Sequence, residues 1–107
     1  MTRLETHYIT AGNTYLGIID GNTSTTLDDF YKVIKTALQF PNYFGNNLDA
    51  LDECLNDLSG IEEENIVLLI INYAGFLSEE ASKKQIVADI IANAEAENKY
   101  FSVYYIY

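Results

Sequence analysis

The chain has 107 residues, 49% of them hydrophobic, with sixteen Asp/Glu against six Lys/Arg and a net charge of -10. That is long enough for one compact domain, too apolar for a disordered tail, and without any run near the ~20 apolar residues that span a bilayer. A negative field of this size disfavours nucleic acid and anionic lipid as ligands and speeds encounter with basic partners.

The start, MTRLETHYIT, lacks the apolar core of a secretory signal, and one cysteine, Cys54, leaves no internal disulfide. The expected setting is therefore the reducing cytoplasm. Residues 5–11, followed by Gly12-Asn13, can form a hairpin with the next element and add an antiparallel edge strand. Residues 15–20 (YLGIID) are a short apolar run closed by Gly21-Asn22, the pattern of a buried strand.

Thr26 then stands as an N-cap before Leu27-Asp28-Asp29-Phe30, with acids in the first turn. Phe30, Val33, Ile34, Ala37 and Leu38 recur at helical spacing, which predicts a helix over residues 27–39 stopped by Pro41. Asn47 can cap a second helix over residues 48–58, with Gly60 just beyond its end. Residues 66–72 (IVLLIIN) form the most β-branched run and are expected as a central strand covered on both sides.

Ser78 is expected to cap a third helix, with Glu79 and Glu80 near its positive end. Ile86, Val87, Ile90, Ile91 and Ala94 make its buried stripe, and Asn98 terminates it. Residues 100–107, aromatic and β-branched except for Ser102, read as a last strand. The order predicts a single α/β domain over residues 1–107, with residues 1–14 as an N-terminal extension. Its core is a small three-stranded parallel sheet flanked by three main helices, with right-handed crossovers.

The second helix carries the chemistry. At ~100° per residue, Leu48, Leu51, Cys54, Leu55 and Leu58 share one side. Asp49, Asp52, Glu53, Asn56 and Asp57 occupy the other. Tyr43-Phe44-Gly45 leads straight into it, and no basic residue falls anywhere between Lys35 and Lys83. Like charges at i,i+3 and i,i+4 destabilise a helix by a few tenths of a kcal/mol each, and a merely solvated face usually mixes in lysine.

Other chemistries find little support. No nucleophile motif accompanies the lone His7, and Gly21-Asn22-Thr23-Ser24 lacks the spacing of a phosphate-binding loop. Zinc and calcium patterns are missing, so no cofactor or metal is expected. Asp49 and Glu53 share one environment, whereas an acid/base pair needs two different ones. Cys54, on the leucine side, is expected as a buried small hydrophobe.

The same stretch resembles the barstar family of intracellular ribonuclease inhibitors and their immunity-protein relatives. The family signature runs Pro-x-aromatic-aromatic-Gly-x-Asn-Leu-Asp-Ala-Leu-x-acid-Cys-Leu. Pro41, Tyr43, Phe44, Gly45, Asn47, Leu48, Asp49, Ala50, Leu51, Glu53, Cys54 and Leu55 match it. The resemblance implies that this helix and turn plug the active site of a ribonuclease. Asp49 and Glu53 would meet its cationic side chains where substrate phosphates sit, Tyr43 would pack against its base-binding or catalytic side chains, and Gly45 and Asn47 would approach through backbone and amide contacts.

The expected partner-binding set is thus Tyr43, Phe44, Gly45, Asn47, Asp49, Asp52, Glu53 and Asn56. The expected partner is a basic ribonuclease or nuclease toxin, and the free chain is expected to be monomeric. Departures from the family bear on the target. Its founding member has tryptophan where this chain has Asp52 and again at Leu58, aspartate at Glu53, and a contacting glutamate near Asn93. Two readings stay open beside inhibition: a non-inhibitory acidic module for a basic partner, and, more remotely, an enzyme with an unrecognised site. Asn47 read only as a cap, and Gly45 only as a turn residue, would fit the module as well.

Overall fold

Four strands in the order β1-β2-β3-β4 form the sheet of the computed structural model, which describes residues 7–107. Strand β1 (Tyr8–Ala11) pairs antiparallel with β2 (Thr14–Asp20) through the two-residue loop Gly12-Asn13, with Gly12 at φ +59°. The expected hairpin is present; residues 5 and 6 of that expectation lie outside the described residues. Strands β3 (Asn65–Ile71) and β4 (Phe101–Tyr105) continue the sheet in parallel. Helices α1 (Leu27–Ala37) and α2 (Leu48–Leu55) connect β2 to β3, and α3 (Ala81–Glu97) connects β3 to β4.

This topology decides where the core lies. Parallel strands added one after another in one direction, through right-handed crossovers, put every connecting helix on the same face. Register and burial agree. Tyr15, Ile66 and Phe101 form one cross-strand row, and Gly17, Leu68 and Val103 the next, all buried beneath the helices. Leu16, Ile18, Val67, Leu69 and Ile71 on the opposite face are only partly buried. Strand β3 is therefore covered on one side, not both: an unbranched strand order leaves no helix for the second face.

Helix α1 ends earlier than expected, at Ala37, and Pro41 does not stop it. Gln39 takes the left-handed conformation at φ +52°. The Gln39 N–H donates to Thr36 O (3.4 Å) and the Phe40 N–H to Lys35 O (2.9 Å), the two bonds of a Schellman motif. Helix α2 is also shorter, closing at Asn56 rather than Leu58. The Asn56 amide turns back onto Asp52 O at 2.8 Å, and Asp57 Oδ1 accepts from Ser59 N at 3.3 Å, the local bonding by which Asn and Asp favour turns. Gly60 plays no part in that ending.

The start of α3 also departs from expectation. Ser78 lies in a short 3-10 turn, Ser78–Glu80, and caps nothing. Glu79 and Glu80 instead serve α1. Glu80 Oε1 accepts from the Leu27 N–H (3.0 Å), an orphan donor of α1, while the Thr25 hydroxyl donates to Glu79 Oε2. Thr26 caps α1 as expected, accepting from Asp29 N at 3.2 Å. Val87, Ile91 and Ala94 are buried and Ile90 is partly so, but Ile86 is 42% exposed. Asn98 ends α3 as expected.

Candidate partner-binding surface

The turn before α2 sorts its aromatic rings. The Phe44 N–H donates to Pro41 O at 3.0 Å, closing a β-turn over residues 41–44. Tyr43 is left 81% exposed and Phe44 only 6%. The Phe44 ring meets Phe40 edge-on at 5.0 Å and Tyr31 at 5.9 Å. Phe44 is thus an anchor of the turn, its ring packed inward where Tyr43 faces solvent.

The start of α2 is tied down next. Asn46 takes φ +51°, and Asn47 then stands in extended backbone as the N-cap. Asn47 Oδ1 accepts from Ala50 N at 2.8 Å and its Nδ2 donates to Gly45 O at 3.2 Å. A Cβ on Gly45 would come within 3.1 Å of that amide nitrogen, so glycine lets the cap close over the turn. The cap and Leu51, Cys54 and Leu55, all buried, hold the helix in place.

Every acid of the outward block is exposed: Asp49, Asp52, Glu53 and Asp57, with Asn56 among them. Asn56 Nδ2 also donates to Asp52 Oδ1 at 3.1 Å. Among the described residues, nothing hydrogen-bonds or ion-pairs with the Asp49 or Glu53 carboxylates. Asp49 sits in the first turn, where the helix dipole favours it; Glu53 lies a turn further on and gains little. Each carboxylate borders a different concavity. Glu53 lines a groove of about 420 Å³ with Tyr43, Asp57, Phe40, Pro41 and Leu58. Asp49 lines a wider, open one of about 720 Å³ where α1, α2 and α3 begin, together with Asp28, Tyr31, Asn47, Glu80 and Lys83.

Catalytic alternatives gain nothing from this arrangement. Burial pushes the Cys54 thiol up, and the Glu53 and Asp57 carboxylates push it further the same way, which opposes thiolate formation. Among the described residues no three His, Cys, Asp or Glu side chains converge as metal ligands. His7 stands just before β1 on the sheet edge, where its carbonyl accepts from Ile18 N at 2.7 Å. No described helix is long and apolar enough to cross a membrane.

Sequence reasoning singled out the outer face of α2 but left Asp57 out of the binding set and missed the α1–α2–α3 groove. The acid run itself was the signal for Asp57. The presence of Asp28 and Glu80 beside Asp49 depends on tertiary packing, which no local pattern encodes.

A family model described as Barstar (barnase inhibitor) matches residues 16–106, which includes this surface and all three helices. The chain belongs to the barstar family. A protein of Bacillus subtilis (strain 168) named "Putative ribonuclease inhibitor YrdF" is 32% identical over 82 residues, covering 77% of this chain and 87% of the relative. Membership of this family points to an inhibitor rather than an enzyme. It also agrees with a parallel sheet carrying its helices on one face, to which β1 adds an antiparallel edge.

Proposed function

We propose that this barstar-family protein binds and blocks the active site of a basic ribonuclease, acting inside the cell as the immunity partner of that enzyme. One observation carries the reading: Asp49 and Glu53 project, unpartnered among the described residues, from a helix that cap and core hold still. Carboxylates so held mimic successive phosphates of RNA. Their pairing with arginine is charge-assisted and often bidentate, and matched potentials raise association rates. Tyr43, standing clear of the turn, supplies an aromatic face beside them, while Gly45 and Asn47 offer backbone and amide contacts.

Asp52 and Asn56 extend the surface as a hydrogen-bonded pair where an aromatic anchor stands in the founding member. That exchange is expected to change which enzyme fits. The test is an RNA-cleavage assay with a panel of basic ribonucleases, with and without the protein. At least one enzyme should be blocked, and replacing both Asp49 and Glu53 by alanine should abolish the block while the melting temperature moves by no more than a few degrees. Capture of a basic enzyme with undiminished cleavage would favour the non-inhibitory module instead.

A further inference from the structure

The sheet has a second face that the fold leaves bare. Strand register places Ile9, Leu16 and Val67 in one cross-strand row and Ile18, Leu69 and Tyr104 in the next, on the side away from the helices. No described helix lies over them. Leu16, Ile18, Val67 and Leu69 are partly buried between their strand neighbours, while Ile9 is 45% and Tyr104 58% exposed. A strand with one solvated face alternates apolar and polar residues, whereas a strand covered on both sides reads as a continuous apolar run. Residues 66–71 (IVLLII) are of the second kind. The chain therefore carries a face composed for burial that it does not itself bury.

We infer that a second copy of this chain covers the face, in a two-fold, sheet-to-sheet dimer. Charge selects the occupant. Among the described strand residues the single charge on this side is Asp20, at the rim, where its Oδ1 already accepts from Asn22 N (2.9 Å) and Asn72 Nδ2 (3.0 Å). A basic partner finds nothing else here to pair with, and a net charge of -10 disfavours an anionic lipid surface. An uncharged face can meet its own copy without setting carboxylate against carboxylate, which the acidic side of α2 cannot. Two-fold symmetry makes the patch its own complement, and twisted sheets stack in this way ~10 Å apart. The acidic faces of α2 then lie on opposite outer surfaces. With ~10 Å between the sheets and about one ~10 Å helix diameter beyond each, they stand ~30 Å apart, well past the ~8 Å Debye length at 0.15 M salt. Both stay open, so the dimer is independent of the ribonuclease reading. Four strands ~4.8 Å apart and about six residues long at ~3.3 Å span roughly 400 Å² per copy. A bare apolar patch of that size marks an interface, yet it is about half of the ~800 Å² per partner that a stable complex buries. The dimer is accordingly weak, and the expected free monomer is its dilute form.

Sedimentation equilibrium of the full chain, from micromolar to millimolar concentration, tests this. The dimer fraction should rise with concentration and, at fixed concentration, with salt, because screening relieves the repulsion between two acidic chains. That sign is opposite to the one expected for ribonuclease association. Leu69→Lys should weaken self-association about ten-fold or more, since it sets unpaired ammonium groups in an apolar contact. Tyr104→Lys, at an exposed position that the fold tolerates, should weaken it several-fold and decides the matter where Leu69→Lys does not fold. In a concentration series followed by NMR, the methyl signals of Leu16, Ile18 and Leu69 should move together. A chain that stays monomeric at every concentration would overturn the inference. So would a dimer whose shifts fall on the Tyr105 and Tyr107 amides of the β4 edge, or on α2, while those methyls stay still.

Discussion

The Tyr15 hydroxyl, on the first parallel strand, donates to the carbonyl of Ala37 at the end of α1 over 2.5 Å. Beside it, a Cβ on Gly17 would lie 2.9 Å from the same carbonyl oxygen and 3.2 Å from Leu38, so the helix end rests directly on strand backbone. The turn that presents Tyr43 starts from this junction. Replacing Tyr15 by phenylalanine leaves a buried carbonyl without its donor and should cost about 1–3 kcal/mol in urea unfolding. Unchanged stability would mean that the bond contributes nothing.

Alkaline pH should weaken the fold. Burial pushes the Tyr15 and Tyr105 phenols up to about 12, with Tyr73 and Glu95 adding to the shift at Tyr105. Their ordinary value is ~10. Above that pH the unfolded chain releases protons that the folded chain still holds, so stability is full below pH 10 and falls as pH rises toward 12. Unfolding midpoints measured from pH 9 to 12 should decline, and Tyr15→Phe should flatten the decline. Midpoints that stay level across this window would contradict it.

The cap of α2 is a separate lever on the binding face. Asn47→Ala removes both its bonds and should cost about 1 kcal/mol, with weaker inhibition of the cognate ribonuclease because Asp49 loses its fixed base. Asn47→Asp keeps an acceptor for Ala50 N and should cost less. Calorimetry and cleavage assays on the two variants should rank them in that order.

Glu95 protects an open edge. Strand β4 ends the sheet, and Glu95 Oε2 accepts from its Val103 N–H at 3.1 Å. Exposed edges with free N–H groups invite pairing with other chains. Glu95→Ala should lower the melting temperature and raise self-association at high concentration, seen by light scattering; Glu95→Gln, which keeps an acceptor oxygen, should do less of both. A monodisperse Glu95→Ala protein at every concentration would argue that the edge is guarded by something else.

Electrostatic steering sets the last expectation. The Debye length falls from ~30 Å at 0.01 M salt to ~8 Å at 0.15 M. Association with the cognate ribonuclease, followed by stopped flow, should slow markedly over that range. A rate independent of salt would remove the role assigned to the acidic face.

The sequence was most legible where one physical pattern acted alone. Amphipathic spacing located all three helices, β-branched runs located the strands, and a capping asparagine before leucines and acids marked the start of α2. Element ends were harder. Gln39 carries none of the bias of glycine toward the left-handed conformation, so the Schellman ending of α1 left no signature, and Pro41 drew attention two residues too far. Glu79 and Glu80 read as acids at the head of their own helix, whereas packing hands them to the head of α1. Phe44 and Tyr43 look alike in sequence; a single turn sends one ring to the core and the other to solvent.

Inward and outward positions along α2 answer to different constraints, and this separates durability from choice of target. Leu51 and Leu55 can stay as they are while Asp52 and Glu53, both exposed, change with little effect on the core. A lineage meeting new partners could therefore revise this exposed surface one residue at a time without passing through an unfolded intermediate form.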